Sequence, residues 1–297
     1  MNILVSGGSG LVGSATIQLL LENGHTIYNL TTQKALRSEH AKVHHIYWNP
    51  KSGEVETSAI PAIDAVVNLA GFSVANKWTK ENKEKMISSR IESTRLLVKI
   101  SGQAHTFVSA SASGIYRDTD EWQDEQSAFA NDFLAQLSIT WEEEAQKARV
   151  NGARVALLRI GVVLDQREGA LGKMIPFFKM GLGSAVGRGS QYMSWIHLHD
   201  LARMLVFAVE NKTVEGAYNA VAPAPVTNKQ ISKSLAKALN RPFFLPNVPA
   251  FALRLAFGEM ADMLFTSKRL KSEKIQQAGF TFQFPDVDSA MRDLFQK

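Results

Sequence analysis

The sequence predicts an α/β protein built on a doubly wound parallel sheet, followed by a small, mostly helical C-terminal lobe. Two observations predict the sheet. Short apolar runs alternate with longer amphipathic segments through the first half of the chain, and the first run leads directly into a glycine-rich turn. Parallel strands need a long connection between neighbours, and a helix with a right-handed crossover usually supplies it. A third observation predicts the second lobe: after Leu164 the alternation of strands and helices stops and a glycine-rich segment follows.

The elements of the first half follow from the hydrophobic period and the length of each run. The predicted strands are Asn2–Ser6, Thr26–Leu30, Val43–Trp48, Ala65–Leu69, Thr106–Ser109 and Arg154–Arg159. The predicted helices are Leu11–Asn23, Lys80–Ile100 and Asn131–Val150.

The second half is less regular. The segment Gly169–Gly189 has the composition of a loop, with one apolar stretch at 174–180. Strands are predicted at Met193–Ile196 and Ala217–Val221, and a helix at Asn228–Leu239 after the helix-start residue Thr227. We therefore expect a larger domain of residues 1–164 plus about 195–222, and a smaller lobe of about 165–194 plus 223–297.

Composition excludes several classes of protein. The 297 residues are 45% hydrophobic and 21% charged, as in ordinary globular proteins, and the net charge of +5 comes without a run of five like charges. Nucleic acid is therefore not an expected partner. The absence of cysteine excludes disulfides, thiolate metal sites and cysteine nucleophiles. The N-terminus does not resemble a signal peptide, and no stretch approaches the length of a membrane helix. We expect a cytoplasmic protein with no membrane attachment.

The glycine loop that follows the first strand is the main functional signal. It reads Gly7-Gly8-Ser9-Gly10-Leu11-Val12-Gly13, with the spacing G-x-x-G-x-x-G, and it opens the first helix. Glycines permit the tight turn and let a diphosphate approach the backbone, where N–H groups and the helix dipole favour negative charge. In this position the loop predicts a dinucleotide site in a Rossmann-type domain.

The end of the second strand bears on which cofactor is bound. An NAD site usually has a carboxylate there, about 20 residues after the loop, to accept from the ribose 2′-OH. This chain has Thr31, Thr32, Gln33 and Lys34, with Arg37 beyond. Hydroxyl groups and nearby positive charge favour a 2′-phosphate, so the sequence predicts NADP(H), with NAD(H) as the alternative.

With these residues in place, the chain resembles the short-chain dehydrogenase/reductase superfamily in its extended, epimerase-like form. The narrower resemblance is to an atypical group often labelled NAD-dependent epimerase/dehydratase or SulA-like. The resemblance covers essentially the whole chain. The matching segments are 64–71 (DAVVNLAG), Trp78, 89–90 (SR), 141–142 (WE), 159–164 (RIGVVL), 176–177 (PF), 181–183 (GLG), 194–197 (SWIH), 218–223 (YNAVAP) and 279–280 (GF).

The resemblance implies a set of cofactor contacts. Gly7, Gly10 and Gly13 would hold the diphosphate, with Ser9, Leu11 and Val12 completing the loop. The other implied contacts are Thr31 and Thr32 at the adenosine 2′ position, Asp64 near the adenine, Leu69, Ala70 and Gly71 along the cofactor, and Gly161 and Val162 near the nicotinamide. The chain departs from the group at Thr32, where an arginine is frequent, and at Phe72, where an acidic residue is usual.

Catalysis in the superfamily depends on a Tyr-x-x-x-Lys pair on one helix face, where the ammonium lowers the phenol pKa. This chain has Phe133 and Leu137 at about those positions, a departure that the narrower group shares. Two interpretations follow. Tyr116 supplies the proton while Ser111 or Ser113 orients a small carbonyl, hydroxyl or sugar-nucleotide substrate, or the protein binds a dinucleotide without catalysis, as a sensor or scaffold.

The remaining candidates concern the substrate. Trp195 and His197 are expected to line the cleft, with Asp200 as the N-cap of the next helix. Arg188, between two glycines, is a candidate clamp for an anionic group, with a solvated loop charge as the alternative. Lys77, Trp78 and Arg90 form a basic and aromatic set that is a candidate border of the site, and ordinary helix packing explains Trp78 equally well. The run 197–200 (HLHD) lacks a third distant ligand, so no metal is predicted. By analogy with related proteins, a homodimer through the two long helices is expected.

Overall fold

The computed structural model describes residues 1–34, 36, 38 and 40–296. In chain order its strands are β1 (Asn2–Ser6), β2 (Thr26–Thr31), β3 (Val43–Asn49), β4 (Glu54–Val55), β5 (Ala65–Asn68), β6 (Thr106–Ala112), β7 (Thr119–Gln123), β8 (Arg154–Ile160), β9 (Val162–Leu164), β10 (Tyr192–Met193), β11 (Trp195–His197), β12 (Gly216–Ala220), β13 (Val226–Thr227) and β14 (Lys268–Leu270). The helices are α1 (Leu11–Glu22), α2 (Lys80–Ile100), α3 (Phe133–Gln146), α4 (Gly169–Lys179), α5 (Leu198–Glu210), α6 (Asn228–Ala238), α7 (Ala250–Phe257), α8 (Glu273–Gln277) and α9 (Val287–Phe295).

The centre of the molecule is an eight-stranded sheet with the order β12-β8-β6-β5-β1-β2-β3-β4. All its pairings are parallel except the one between β3 and β4. The strand order runs outward in both directions from β1, which confirms the doubly wound sheet predicted from the alternating pattern. The carboxyl ends of β1, β2 and β5 therefore meet at one edge, which is where open α/β sheets bind ligands.

Both faces of the sheet are covered by hydrophobic cores. Alternate residues of a strand point to opposite sides, so each strand contributes to both cores. Ile3 and Val5 of β1 pack in one core with Leu201 and Leu205 of α5, whereas Leu4 packs in the core on the opposite face. A strand buried on both faces reads as a continuous apolar run, as β1 does in the sequence.

A second core lies beneath the later part of the chain. It joins Trp195 of β11 to residues of α4, α6 and α9, among them Ile175, Leu235 and Met291. The chain also returns to earlier elements, since β14 pairs in parallel with β7. The helix predicted after Thr227 is confirmed, and a capping box between Thr227 and Gln230 starts it.

The sequence prediction was wrong for the first part of Gly169–Gly189. That part forms α4 rather than a loop, and Pro176 lies inside the helix. Leu171, Ile175 and Phe178 are spaced at i, i+4 and i+7, so the helix buries one face in the second core. Packing of that apolar face outweighs the low helix propensity of the glycines and the proline.

Candidate functional site

The glycine loop lies between β1 and α1 and is packed tightly against the neighbouring strand. Gly7 has φ +75°, and a Cβ there would lie 2.7 Å from the carbonyl of Leu69, just after β5. A Cβ on Gly13 would lie 2.2 Å from the carbonyl oxygen of Gly7. The packing of the loop therefore requires both glycines, independently of any ligand.

Gly10 is different. It is exposed, has φ −78°, and the nearest heavy atom to its Cβ position, the carbonyl oxygen of Gly7, is 3.4 Å away. It is the N-cap residue of α1 and provides no side-chain cap. Ser9 is exposed beside it, while Leu11 and Val12 are half-buried in the first turn. An uncapped helix start with open space above it suits a phosphate group.

A cleft of about 710 Å³ opens beside this loop at the carboxyl edge of the sheet. Its walls come from the glycine loop, the end of β2, the segment after β5, and α2. The walls include six of the predicted cofactor residues: Gly7, Ser9, Thr31, Thr32, Ala70 and Gly71. Leu69 adjoins them, because its backbone N–H donates to the carbonyl oxygen of Ser6 at 3.1 Å.

Asn29 on β2 was missed by the sequence analysis. Its side chain lines the cleft, and a Cβ on Gly8 would lie 2.2 Å from its Oδ1. Asn29 is buried, and its Oδ1 has no hydrogen-bond partner among the described residues. A buried acceptor without a partner is costly, so this atom fits a donor supplied by a ligand. The signal in the sequence was a polar residue within an apolar strand.

The end of the cleft near β2 is polar. Thr31, Thr32, Gln33 and Lys51 line it, and the Thr31 Oγ1 accepts a hydrogen bond from the Gln33 N–H at 3.1 Å. In the described part of this wall no carboxylate follows β2. Lys51 was not predicted from the sequence. Of the two basic residues predicted here, Lys34 is not part of this wall and has its Nζ 4.8 Å from the centroid of the Tyr47 ring, and Arg37 lies outside the described residues.

Asp64 is not near the cleft, and its predicted place beside the adenine was wrong. It immediately precedes β5, and its carboxylate accepts from the Asn2 backbone N–H at 2.7 Å. Asn2 begins β1, whereas the glycine loop follows the end of that strand. The residue therefore lies at the amino edge of the sheet, opposite the glycine loop, and it fixes the start of β1.

Gly161 and Val162 lie at the carboxyl end of β8, two strands beyond β5 and outside the 710 Å³ cleft. A Cβ on Gly161 would be 2.4 Å from the carbonyl oxygen of Ser194, and the Val162 N–H donates to that oxygen at 2.9 Å. The glycine thus permits β9 to run against the segment that leads into β11. The predicted contact of these residues with the nicotinamide stays a prediction.

Tyr116 does not face the cleft, so its predicted role as proton donor was wrong. Its side chain has no exposed surface, and its hydroxyl donates to Asn219 Oδ1 at 2.7 Å and accepts from Arg159 Nη1 at 2.9 Å. Burial raises the pKa of Tyr116 to about 12, against the opposing attraction of the Arg159 guanidinium. A buried phenol with both hydrogen bonds satisfied stabilises the fold and does not reach a substrate.

Ser111 belongs to the same buried network. Its Oγ donates to Glu142 Oε1 at 2.6 Å, and Glu142 is held by Arg159 at 2.8 and 2.9 Å. The sequence analysis quoted Glu142 and Arg159 as motif residues but did not pair them. An arginine inside the apolar run of β8 was the available signal, because buried charges are usually paired.

Ser113 is half-buried and begins a short 3₁₀ turn that packs near α3. Within the described residues its hydroxyl has no hydrogen bond. The positions expected for the Tyr and Lys of the superfamily are indeed apolar: Phe133 packs edge-on against Trp78 with ring centroids 5.4 Å apart, and Leu137 is buried. Of the three predicted catalytic residues, only Ser113 keeps a free hydroxyl.

The predicted substrate residues do not come together. Trp195 is fully buried in the second core, with its Nε1 donating to the carbonyl oxygen of Ala224 at 2.9 Å. His197 is also buried, with its ring centroid 4.0 Å from that of Phe284. The expectation that both line the cleft was wrong. Arg188 is exposed and ion-paired to Asp120 at 2.7 Å.

The N-cap of α5 is His197 rather than Asp200. The His197 Nδ1 accepts from the His199 N–H at 3.1 Å, and burial lowers the pKa of the His197 imidazole. Asp200 is buried in the first turn of the helix and accepts from the backbone N–H of Phe284 at 2.8 Å.

Two further properties were searched over the described residues. They contain no cluster of three metal-ligating side chains. None of the helices that they form combines the length and the apolar character of a membrane-spanning segment.

Comparison with known proteins gives consistent matches over nearly the whole chain. The family model described as "NAD dependent epimerase/dehydratase family" matches residues 3–220, and a domain of unknown function, DUF1731, matches residues 248–294. An epimerase family protein of Mycobacterium leprae, ML0860, is 38% identical over 294 residues, covering 97% of this chain and 94% of that protein. Mouse SDR39U1 is 33% identical, covering 99% of both.

Solved structures agree. The crystal structure of human SDR39U1 (isoform 2) with NADPH has a TM-score of 0.89 and 30% identity, covering 100% of this chain and 99% of that one. MoeE5 in complex with UDP-glucuronic acid and NAD, at 18% identity and a TM-score of 0.80 with 100% and 98% coverage, is similar in fold. The resemblance inferred from the motifs is therefore confirmed. This chain belongs to the NAD dependent epimerase/dehydratase family.

Proposed function

We propose that this protein binds NADP(H) in the 710 Å³ cleft and acts as an oxidoreductase or epimerase on a small substrate bearing a carbonyl or hydroxyl group. The observation that carries the proposal is the glycine loop. Gly7 and Gly13 are needed to pack it, whereas Gly10 is exposed at an uncapped helix start, with no heavy atom closer than 3.4 Å to its Cβ position. The open space at Gly10 matches the approach of a diphosphate to backbone N–H groups.

The preference for NADP(H) rests on the β2 end of the cleft. Thr31 and Thr32 offer hydroxyls, and Lys51 adds positive charge in the same wall. A 2′-phosphate carries negative charge that these groups can receive, whereas the ribose 2′-OH of NAD would find no carboxylate there. The NADPH in human SDR39U1 supports the same preference.

The chemistry is expected to depend on positioning. When bound, NADP(H) supplies or accepts the hydride, so the protein has to place the substrate and exclude competing reactions. Ser113 is the hydroxyl we assign to orienting the substrate oxygen, because Ser111 donates to Glu142 and Tyr116 is buried. Nucleotide sugars, the ligands of structural neighbours such as MoeE5, are the first substrate class to test.

A second candidate function is a non-catalytic dinucleotide sensor. It is favoured by Phe133 and Leu137, which stand where the superfamily has its catalytic Tyr and Lys, and by the burial of Tyr116. Neither a phenyl ring nor an alkyl chain can transfer a proton.

The experiment that separates the two is a substrate panel in two parts. Aldehydes and ketones are incubated with protein loaded with NADPH, and nucleotide sugars with protein loaded with NADP+, because a nucleotide sugar gives its hydride to the oxidised cofactor and an epimerase returns that hydride without net change. Loss of the reduced-nicotinamide absorbance in the first part, or a reduced cofactor or an epimerised sugar detected by NMR in the second, supports the enzyme if Ser113→Ala lowers the rate and Ser52→Ala, in an exposed turn, leaves it unchanged. Tight cofactor binding with no turnover in either part favours the sensor and contradicts the enzyme proposal.

A further inference from the structure

Six large apolar side chains of the C-terminal lobe are more than half exposed to solvent. They come from the end of α4 and from the segment that leads out of α6 into α7, and they are Phe177, Met180, Leu182, Phe244, Phe251 and Leu255. Among the other large hydrophobic residues that the structure describes, only Val150 is exposed to this degree. We call these six residues the apolar patch.

Contacts beside these residues bring their two segments together. Phe178 of α4 stacks on Phe243, with the ring centroids 6.5 Å apart. A little further along, the Val248 N–H donates to the carbonyl oxygen of Ala185 at 2.8 Å. Helix α7 begins two residues after Val248. The apolar patch is therefore one surface of the lobe, although its residues are far apart in the sequence.

Helix α7 carries the most exposed part of the apolar patch. Seven of its eight residues are apolar and none is buried, whereas a helix that is apolar all round is ordinarily buried. Phe251 and Leu255 share one face, being four residues apart, and are 74% and 89% exposed. Arg254 holds the helix to the lobe, since it pairs with Asp262 at 2.8 Å and lies 5.6 Å from the ring centroid of Phe265.

The exposed area is large for a protein surface without a binding role. The three phenylalanines of the patch expose roughly 400 Å², taking about 200 Å² for each whole side chain. Contiguous apolar surfaces above a few hundred Å² usually mark an interaction site. The patch is therefore expected to be covered by a partner.

The charges around the patch have a single sign. Residues 169–199 include three Lys or Arg residues and residues 216–258 include five, whereas neither stretch has an Asp or Glu. All eight cations are exposed. Arg188 and Arg254 are paired with carboxylates from outside these stretches, and the other six have no carboxylate within 4.0 Å in the described part of the chain. The whole chain is nearly balanced, with 33 basic and 28 acidic residues, so this surface is a local concentration of positive charge.

We propose that the apolar patch docks on an anionic membrane surface. Its side chains would enter the boundary between headgroups and acyl chains, and the surrounding lysines and arginines would contact the anionic headgroups. Projecting side chains such as Leu255 suit a lipid surface, because lipid needs no complementary pocket.

A second copy of the chain fits the patch less well. A two-fold contact would place the same cations of both copies against each other, which is repulsive. The exposed apolar area is also well below the roughly 800 Å² that each partner buries in a standard protein interface.

Surface docking differs from the membrane attachment that the sequence excluded. That expectation rested on the absence of a stretch long enough to span a bilayer, whereas a short apolar helix lying on the surface needs no such length. The proposal does not depend on the proposed binding of NADP(H).

The test is co-sedimentation of the purified protein, without nucleotide, with vesicles of phosphatidylcholine alone or of equal parts of phosphatidylcholine and phosphatidylglycerol. The protein should sediment with the anionic vesicles, and added salt should weaken the binding. Phe251→Ser and Leu255→Ser should each lower the partition coefficient by about tenfold or more, the loss expected when a large apolar side chain no longer leaves water. Lys179→Gln combined with Arg241→Gln should weaken binding to the anionic vesicles by roughly fivefold for each cation removed.

Matched controls come from the same chain. Val150→Ser is the control for Leu255→Ser, because both residues are 89% exposed. Lys99→Gln combined with Lys212→Gln removes two exposed cations that lie outside the two basic stretches. Neither control should change the binding, and thermal unfolding checks the fold of every variant.

Three results would overturn the proposal. The first is protein that does not sediment with the anionic vesicles at low salt. The second is vesicle binding that Phe251→Ser and Leu255→Ser both retain, or that Val150→Ser weakens as much as Leu255→Ser does. The third is a dimer, measured by light scattering, that Leu255→Ser dissociates, since the patch would then belong to a second copy. None of these results bears on nucleotide binding, so failure here leaves the proposed function standing.

Discussion

Gly10→Ala should separate the glycine needed for binding from those needed for folding. The new methyl group would meet the carbonyl oxygen of Gly7 at 3.4 Å, and the backbone of Gly10, at φ −78° and ψ 170°, is open to any residue. Alanine lowers the entropy of the unfolded chain, which stabilises the fold by about 0.4–1 kcal/mol, but it is a poorer N-cap than glycine. The free energy of unfolding should therefore change by less than about 1 kcal/mol.

Gly13→Ala provides the contrast. Its methyl carbon would lie 2.2 Å from the carbonyl oxygen of Gly7, about 1 Å closer than the roughly 3.3 Å of a close C···O contact. The loop would have to move, at an overpacking cost of about 1–3 kcal/mol. Both variants should lose NADPH affinity by at least about tenfold, but only Gly13→Ala should also lose stability.

The assay is urea unfolding of the protein without ligand, followed by NADPH titration of the folded fraction by nicotinamide fluorescence. Gly10→Ala protein that binds NADPH as tightly as the wild type would refute the assignment of the open space to a diphosphate. Gly13→Ala protein as stable as the wild type would refute the packing argument.

Three further predictions concern residues that the structure places away from the cleft. Because folding raises the pKa of Tyr116 to about 12, its phenol should remain neutral at pH 10.5, and the stability that it contributes should be lost as the pH rises from about 10 through 12. The absorbance spectra of the wild type and Tyr116→Phe should therefore show no tyrosinate difference at pH 10.5, and a difference band there would contradict the burial of Tyr116. Because burial lowers the pKa of His197, the unfolded chain binds more protons than the folded one just below pH 6.5. The free energy of unfolding should therefore decrease as the pH is lowered through this range, by up to about 1.4 kcal/mol per pH unit. Urea unfolding should show a smaller slope for His197→Asn and an unchanged slope when the exposed His44 is changed to Asn. Asp64→Asn should leave the NADPH Kd within about twofold of the wild type, since a surface polar change far from the ligand alters free energies by only about 0.5 kcal/mol, and a larger loss would place Asp64 near the cofactor after all.

Most of the sheet could be predicted from the sequence because its signals are local. The apolar run of β1, the glycine turn and the long amphipathic α2 each reveal themselves within one segment, and the structure has β1 and α2 at the predicted bounds. Helix α4 could not be predicted in the same way. Its apolar face is stabilised by residues far along the chain, such as Leu235, and the low propensity of its own glycines and proline conceals it.

The site residues also differ in whether their signal in the sequence is local. The residues of the glycine loop were predictable because their spacing reflects backbone sterics. Tyr116, Trp195 and His197 were misassigned because a single sequence shows residue type but not burial, and aromatic residues serve cores as often as clefts. Arg90 was recognised only as part of a basic and aromatic set. Its position against Gly71, where a Cβ would lie 3.0 Å from Arg90 Cζ, becomes visible only when α2 and the segment after β5 are placed together.

The measurement that tests the central claim most directly is a paired titration of the purified protein with NADPH and NADH, followed by reduced-nicotinamide fluorescence. We expect NADPH to bind at least tenfold more tightly, a difference of about 1.4 kcal/mol. Thr32→Glu should reverse the preference by repelling the 2′-phosphate and accepting from the ribose 2′-OH. Equal or tighter binding of NADH by the wild type would contradict the NADP(H) assignment, and no binding of either nucleotide would contradict the proposed role of the cleft itself.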